Sequence, residues 1–417
     1  MIYIWNLLYF FLLIIVSPYY LFIKRAFVKG GYKISDKFGK NLNFPPKKGK
    51  RLWIHAVSLG EVNLSIPIVK SLKEKGDFEI LITSTTPTGL MVARKKLSDL
   101  CYVQPSPFDL IPSIENFFKK FDPDILILIE AEIWPTLLRE AGRRNVPALL
   151  INTRFGRRTE VLFRIFKPLS SKILNKIEKF LVQSEKTKNF LISLGIKEGK
   201  ITVAGSLKAD LILPDFSEDL FNKRREELNL SGRKIIVAGS TVEGEEIILL
   251  KAFRKYGKKD TVMIIAPRHP ERFLKVENIV KFYGFKYQKR SSFQKDDYEI
   301  FLLDTIGELP EFYAISDCSF VGGSLVKVGG HNFLEPIYYK KPVFFGPFMY
   351  NFKELYEIFT SNGGAKVVRN EKDLIEMFNS VGSENQRKMG MKGYEILNKI
   401  RGAKEKTVNE ILSFLSK

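Results

Sequence analysis

Arg51-Leu52-Trp53-Ile54-His55-Ala56-Val57 is an apolar run the length of a buried strand. It stops at Ser58-Leu59-Gly60-Glu61, and helical spacing follows from Val62 to Lys75. Strand, turn and helix in succession form the opening unit of a parallel α/β sheet. Working outward, the same signature recurs at Phe78–Thr85, Ile125–Glu130, Pro147–Thr153, Lys179–Ser184 and Ile201–Gly205. A second series comprises Lys234–Ser240, Thr261–Pro267, Glu299–Asp304, Cys318–Gly322, Lys341–Gly346 and Ala365–Val368. Many of these runs are rich in Ile, Leu and Val, as strands covered on both faces must be. Helical stretches such as Glu243 to Lys255 separate most of them. The alternation breaks between Asp210 and Arg233, a polar segment containing Pro214. The expected organisation is therefore an apolar segment over residues 1–23, a Rossmann-like domain over 24–209, a linker over 210–232 and a second Rossmann-like domain over 233–417. The helix read from Glu384 to Lys417 has the option of packing back on the first domain. In such folds ligands bind at the carboxyl ends of the strands, here in a cleft expected between the domains.

Length and composition agree with two ordinary domains. The chain has 417 residues, 45% of them hydrophobic and 27% charged, which excludes wholesale disorder. Lys and Arg number 67 against 46 Asp and Glu, and the resulting +21 calls for anionic partners. Two distant cysteines, Cys101 and Cys318, exclude a disulfide framework, and no Cys or His pair has zinc-ligand spacing. Met1 to Ile23 carry no charged side chain, enough for a helix reaching roughly 34 Å. Tyr3 and Trp5 lie at one end and Tyr19, Tyr20 and Phe22 at the other. Lys24, Arg25, Lys29, Lys33, Lys37 and Lys40 follow, against a single Asp36. A signal peptide lacks its basic start and small-residue cleavage site here. A buried core helix is the alternative to an uncleaved anchor that spans the bilayer or lies in it. With an anchor, the positive-inside rule puts the remainder on the cytoplasmic side, its basic stretch against anionic lipid.

Three familiar chemistries are missing. There is no G-x-G-x-x-G after either first strand, no G-x-x-x-x-G-K-[ST] and no G-x-S-x-G. What stands at the strand ends is carboxylates, hydroxyls and glycines. Glu61, on the turn after the first strand, either serves as a general base toward a hydroxyl or only complements the positive end of the helix. Glu130 and Glu132, beside Trp134, either point into the site or flank a packed indole. Thr83 to Gly89 either contacts a sugar or phosphate or caps a helix. Arg268 has the planar fork that matches phosphate, unless it is a solvated surface group. Gly322-Gly323-Ser324 and Gly329-Gly330-His331-Asn332-Phe333-Leu334-Glu335-Pro336 let backbone N–H groups reach a ligand, with a helix expected from about His331 aimed at phosphate and Glu335 at ribose hydroxyls. All three histidines, His55, His269 and His331, fall in these clusters. The lone Asp-x-Asp, Asp122 and Asp124, precedes its strand, so no metal is assigned.

Taken together these segments resemble the Kdo (3-deoxy-D-manno-octulosonic acid) transferases of lipopolysaccharide biosynthesis. The resemblance is carried, in order, by His55–Glu61, Thr85–Gly89, Glu130–Pro135, Gly205–Lys208, Ser240–Glu246, Pro267–Arg272, Phe320–Ser324, Gly329–Pro336 and Gly346-Pro347 with Asn351-Phe352. It implies a GT-B fold, two Rossmann-like domains with the site between them. It implies inverting transfer of Kdo from CMP-Kdo to a lipid A precursor; no cofactor and no nucleic-acid partner are expected. By the family's motifs Glu61 corresponds to the catalytic base, and Glu130 and Lys208 to transition-state stabilisation. Pro267, Arg268, Ile306, Gly307, Glu308, Asn332, Phe333, Leu334 and Glu335 correspond to the CMP-binding segments. Lys208 and the Gly307 loop enter by resemblance alone. Phe333 departs from the proline or small aliphatic residue common at its position; a contact through backbone would leave the function intact. The nearest rival is a GT-B enzyme using a UDP-sugar. A membrane-tethered nucleic-acid binder would also explain +21, but no RNA or DNA module and no aromatic-basic interleaving accompanies the charge.

Overall fold

The structure, a computed structural model, describes residues 2, 3, 5–11, 13, 31–210 and 213–416. The chain divides into two compact units, Met1–Asp210 with Arg401–Lys417, and Leu211–Ile400. In the first, seven parallel strands, β1 (Arg51–His55), β2 (Glu79–Ser84), β3 (Tyr102–Pro105), β4 (Ile125–Ile129), β5 (Ala148–Thr153), β6 (Lys179–Val182) and β7 (Ile201–Val203), lie in the order β3-β2-β1-β4-β5-β6-β7. The two-residue period of each strand sorts its side chains. Trp53, Leu126, Leu128 and Leu150 pack on one face with the helix Ile111–Phe121. Leu52, Ile54, Ile125 and Ile127 pack on the other with the helix Leu59–Lys75.

The second unit repeats the plan. Its strands are β8 (Lys234–Thr241), β9 (Thr261–Pro267), β10 (Tyr287–Lys289), β11 (Ile300–Leu302), β12 (Cys318–Val321), β13 (Val343–Phe345) and β14 (Lys366–Val367), in the order β10-β11-β9-β8-β12-β13-β14. In both sheets the first strand is interior and the winding direction reverses beside it, between β1 and β4 and between β8 and β12. Loops leaving the carboxyl ends there diverge to opposite faces and open a crevice.

The observed boundaries differ from the expected ones. Residues 213–232 are not a linker but part of the second unit. The helix Glu218–Glu227 buries no side chain of its own; Arg225 donates to the Ile315 carbonyl (2.7 Å) and pairs with Asp317 (3.2 Å). Such a helix is held by guanidinium bonds and shows no apolar period to read. The second unit ends at Ile400, and the helix Ala403–Leu415 belongs to the first, where Val408, Ile411 and Leu415 join the core beside Leu59–Lys75. Burying each contributes about 1.5–3 kcal/mol, which decides the docking. The Asp210 carboxylate accepts from the Gly402 (2.6 Å) and Lys404 amides and fixes the return.

The apolar segment over 1–23 lies largely outside the described residues; of it, residues 2, 3, 5–11 and 13 are helical. Among the described residues no helix is long and apolar enough to cross a membrane.

Candidate active site

Glu61 stands at the switch point of the first sheet. Ser58 caps the helix Leu59–Lys75, accepting from the Glu61 amide at 3.4 Å. The Glu61 carboxylate reaches back, accepting from the Ser58 hydroxyl (2.7 Å) and the Val57 amide (2.7 Å), a reciprocal cap. The residue is only 6% exposed. Burial pushes its pKa up to about 7; the bonds from Ser58 and Val57 oppose this, while the Glu132 and Glu130 charges add to it. Glu61 therefore caps the helix, and its carboxyl is held near neutrality, the range in which a general base works. A Cβ built at Gly60 would meet only Ser58 Oγ, at 3.7 Å.

Glu130 and Asn152 close the neighbouring strands β4 and β5 with left-handed φ of 60° and 52°, costly for residues with side chains and informative for that reason. Asn152 knits the edge together. Its amide nitrogen lies 3.5 Å from Glu130 Oε1, its Oδ1 accepts from the Leu207 amide (3.0 Å), and its carbonyl accepts from Gln183 (2.8 Å). Lys208, next to Leu207, is thereby brought into the field of Glu130. Burial holds the Lys208 pKa below its ordinary value, against the Glu130 charge and with the Arg154 charge. Asn152 was not read as a site residue; its signal was a polar side chain ending an otherwise apolar strand. Glu132 is engaged by Trp134 Nε1 (2.7 Å), and burial raises its pKa.

Three of the five hydroxyls of residues 83–89 are spent internally. Thr83 Oγ1 bonds Trp53 Nε1 (3.0 Å) and His55 Nδ1 (2.9 Å), Ser84 Oγ donates to Val57 (3.2 Å), and Thr86 caps the helix Pro87–Leu97. His55 is buried edge-on to Trp134, its pKa pushed down to about 3 by burial and by Lys37, so it is neutral.

In the second unit the switch point is bridged by a residue that the sequence reading quoted only within a motif. Glu245, first in the helix Glu245–Tyr256, is fully buried. Its carboxylate accepts four backbone amides: Val242 (3.0 Å), Gly323 (2.7 Å), Ser324 (2.9 Å) and Leu325 (2.8 Å). It thus joins the loop after β8 to the loop after β12. Its neighbour Glu246, also fully buried, accepts from both terminal guanidinium nitrogens of Arg272 at 2.7 and 3.0 Å and from the Thr241 hydroxyl at 2.8 Å. This holds the turn after β9, where the Arg268 amide donates to the Thr241 carbonyl (2.9 Å) and the Arg268 side chain is left exposed.

Arg268, His331 and Glu335 share one electrostatic neighbourhood. Burial, then the charges of Arg268 and His269, push the His331 pKa down to about 4. Burial raises that of Glu335 against an Asn332 hydrogen bond (3.1 Å) and the Arg268 charge. His331 Nε2 is buried and, among the described residues, meets no hydrogen-bond partner. Gly323, at φ 69°, must stay a glycine, since a Cβ would lie 2.8 Å from the His331 ring. The helix expected from His331 instead starts at Leu334 and runs five residues to Tyr338. Left-handed φ at Gly329 and Gly330 delays it, and Pro336 sits within its first turn, where its missing N–H is harmless. Phe333 and Leu334 are core residues, Phe333 ringed by Phe345, Phe352 and Phe359, so only their backbone is available to a ligand. Pro267 ends β9. Ile306 is 80% exposed beside Gly307 at φ 95°, while Glu308 is bound by Arg290 (2.8 Å) and Thr305, whose bonds outweigh burial and keep its pKa low. Among the described residues no group of three or more His, Cys, Asp or Glu is placed to hold a metal ion.

The architecture is shared widely. A UDP-GlcNAc 2-epimerase from Neisseria meningitidis bound to UDP-GlcNAc superposes with a TM-score of 0.59 at 14% identity, covering 87% of this chain and all of that one, a likeness of fold alone. Sequence is more selective. The bifunctional glycosyltransferase/methyltransferase of Fusobacterium nucleatum is 36% identical over 359 residues, 82% of this chain, which spans 56% of that protein's length. The 3-deoxy-D-manno-octulosonic acid transferase of Haemophilus influenzae is 32% identical over 431 aligned positions, covering 99% of both chains. The sequence model of the 3-deoxy-D-manno-octulosonic-acid transferase (kdotransferase) family matches residues 33–211, the stretch that contains Glu61, Glu130 and Lys208. With similarity running end to end and the strand-end carboxylates in place, the chain belongs to the Kdo transferase family of glycosyltransferases.

Proposed function

We propose that the protein is an inverting GT-B glycosyltransferase that moves Kdo from CMP-Kdo to a sugar hydroxyl of a lipid A precursor in lipopolysaccharide core biosynthesis. The observation that carries this reading is Glu61, a buried carboxylate with a pKa raised to about 7 at the carboxyl edge of the first sheet. Its ionised form takes the proton of the acceptor hydroxyl. That oxygen attacks the anomeric carbon of Kdo, and the bond from carbon to the CMP phosphate oxygen breaks on the opposite face, inverting the configuration. CMP leaves with the electron pair. A phosphate leaving group needs charge stabilisation more than protonation. Lys208 and Arg268 supply positive charge, and Glu130 holds Lys208 in its cationic form. His331 Nε2 and the backbone of residues 332–334 meet the cytidylate, and Glu335, positioned by Asn332, accepts from ribose hydroxyls. Pro267 and the turn Ile306-Gly307-Glu308 border the same donor site.

The acceptor's acyl chains remain in the bilayer. An anchor over residues 1–23 and the basic stretch after it would keep the catalytic units on the cytoplasmic face of the inner membrane, against anionic lipid. Incubation with a tetraacylated lipid A precursor and a CMP-Kdo generating system, followed by mass spectrometry, tests the reaction and counts the transfers. A mass increase by one or more Kdo units is expected. An unmodified acceptor, together with a melting point raised by UDP but not by CMP, would reject the donor assignment.

A further inference from the structure

Lys208 sits in a single turn, Leu207–Ala209, whose other two residues are spent on the core. Leu207 and Ala209 are buried, and Lys208 alone in the turn is partly exposed. The turn has two backbone bonds of its own, from Ala209 to Ser206 (2.9 Å) and from Asp210 to Leu207 (3.3 Å). So short a 3₁₀ piece has little stiffness by itself, and what fixes the lysine must come from outside it. On one side Asn152 Oδ1 accepts from the Leu207 amide (3.0 Å). On the other side the support comes from the far end of the chain. Arg401 Nε donates to the Ala209 carbonyl (3.4 Å), and the Asp210 carboxylate accepts from the Gly402 (2.6 Å) and Lys404 amides. Leu207 also shares its core with Ala403, Val408, Ile411 and Leu415.

The bonds at Asp210 are a helix cap supplied across the fold. The helix Ala403–Leu415 begins after Gly402, at φ 103°, which has no side chain to hold the first amides. Asp210 does so instead, with its charge against the positive end of the helix. The link works in both directions. The carboxylate fixes the start of the helix, and the helix, seated by its apolar stripe, fixes the residue two places after Lys208. Asp210 is also where the chain leaves the first unit, and Arg401 is where it returns. Without the clasp, the Lys208 turn would be the loose end of that unit.

We propose that the carboxyl-terminal segment Arg401–Leu415 completes the active site of the first unit, with Asp210 as a positioning residue that holds Lys208 in the field of Glu130. Asn152 holds the same turn from the strand side. Neither side chain meets the reacting atoms; both act through Lys208. The inference rests on the reading of Lys208 as a charge that stabilises the leaving phosphate.

The test uses full-length Asp210→Ala and the milder Asp210→Asn, which keeps one carbonyl oxygen for the cap. Leu415→Ala, a core truncation at the far end of the same helix, controls for lost stability. With CMP-Kdo and a lipid A precursor, and corrected for the folded fraction, kcat of Asp210→Ala should fall about tenfold to a hundredfold with KM for CMP-Kdo unchanged. Asp210→Asn should lie between, and Leu415→Ala should keep the parent's kcat even where its melting point is lower. A second readout needs no turnover. Acetic anhydride labelling of Lys208 across pH, followed by mass spectrometry against the exposed Lys366, gives the midpoint of its titration. Burial holds that midpoint below the ordinary 10.5, so it should rise toward 10.5 in Asp210→Ala and stay in place in Leu415→Ala. An unmoved midpoint, or equal losses of kcat in Asp210→Ala and Leu415→Ala, would overturn the proposal. A raised midpoint with full turnover would instead reject the role of Lys208 on which it rests.

Discussion

Each sheet places a glutamate just after its first strand, at the start of the following helix, and the two carboxylates have opposite fates. Glu61 accepts two hydrogen bonds, from Val57 and Ser58. Glu245 accepts four, all from backbone amides. An ionised carboxylate has about four acceptor sites. Those of Glu245 are full, so it is a bracket holding two loops. Half of those of Glu61 remain, so it can still take a proton from a substrate. Topology puts a carboxylate at both places; the number of donors around it decides whether acceptor capacity is left over.

The comparison can be broken most sharply at Glu61. Glu61→Gln keeps the shape and part of the cap but removes the base, and turnover should fall by about 10²–10⁴ with CMP-Kdo binding and melting temperature unchanged. A variant retaining most turnover would remove Glu61 from the base role. Glu245→Gln should leave catalytic chemistry formally untouched yet lower stability by on the order of 3 kcal/mol in urea unfolding, because its amide group opposes buried N–H donors with donors of its own. It should weaken CMP binding as well. An undisturbed melting curve would mean the bracket is dispensable.

Below these in size comes the pH response. With Glu61 as the proposed base, the ionised form is the active one, so kcat/KM should fall tenfold per unit below about pH 7 and level off above it. Because its folded pKa lies above the ordinary value of 4.5, the folded state holds the proton more tightly than the unfolded chain. Stability should therefore decline as pH rises from about 4.5 to 7, and Glu61→Gln should abolish that part of the slope. A rate limb that persists in the low residual activity of Glu61→Gln would belong to another group. The smallest effect is expected at the donor site. Arg268→Ala should weaken CMP-Kdo binding about tenfold, the value of one charge-assisted bond, by calorimetry, and should leave vesicle association unchanged. Unaltered affinity would take Arg268 off the phosphate.

What was hidden from sequence reading has a consistent character. Twelve strands were expected and two more are present, β3 and β10, each at the outer edge of its sheet. Edge strands are covered less completely, and Tyr102-Val103-Gln104-Pro105 and Tyr287-Gln288-Lys289 lack the continuous apolar run that marks a buried strand. Asn152 and the Glu245–Glu246 pair escaped because their work is done across strand ends, between residues distant in the chain. The helix Ala403–Leu415 shows its amphipathic stripe in sequence, but nothing local says which sheet the stripe will meet.

The sequence by itself determined that this chain folds as two parallel α/β units, and which residues crown their strands, because side-chain periodicity and the strand–turn–helix grammar are local and short-ranged. Tertiary structure alone decided that residues 401–417 join the first unit. It also decided that Glu61 is buried to a pKa near 7, and that Glu245 is saturated by four amides while His331 keeps one nitrogen unmatched. Burial and hydrogen-bond saturation are sums over neighbours brought from remote positions, and those sums exist only once the chain has closed on itself.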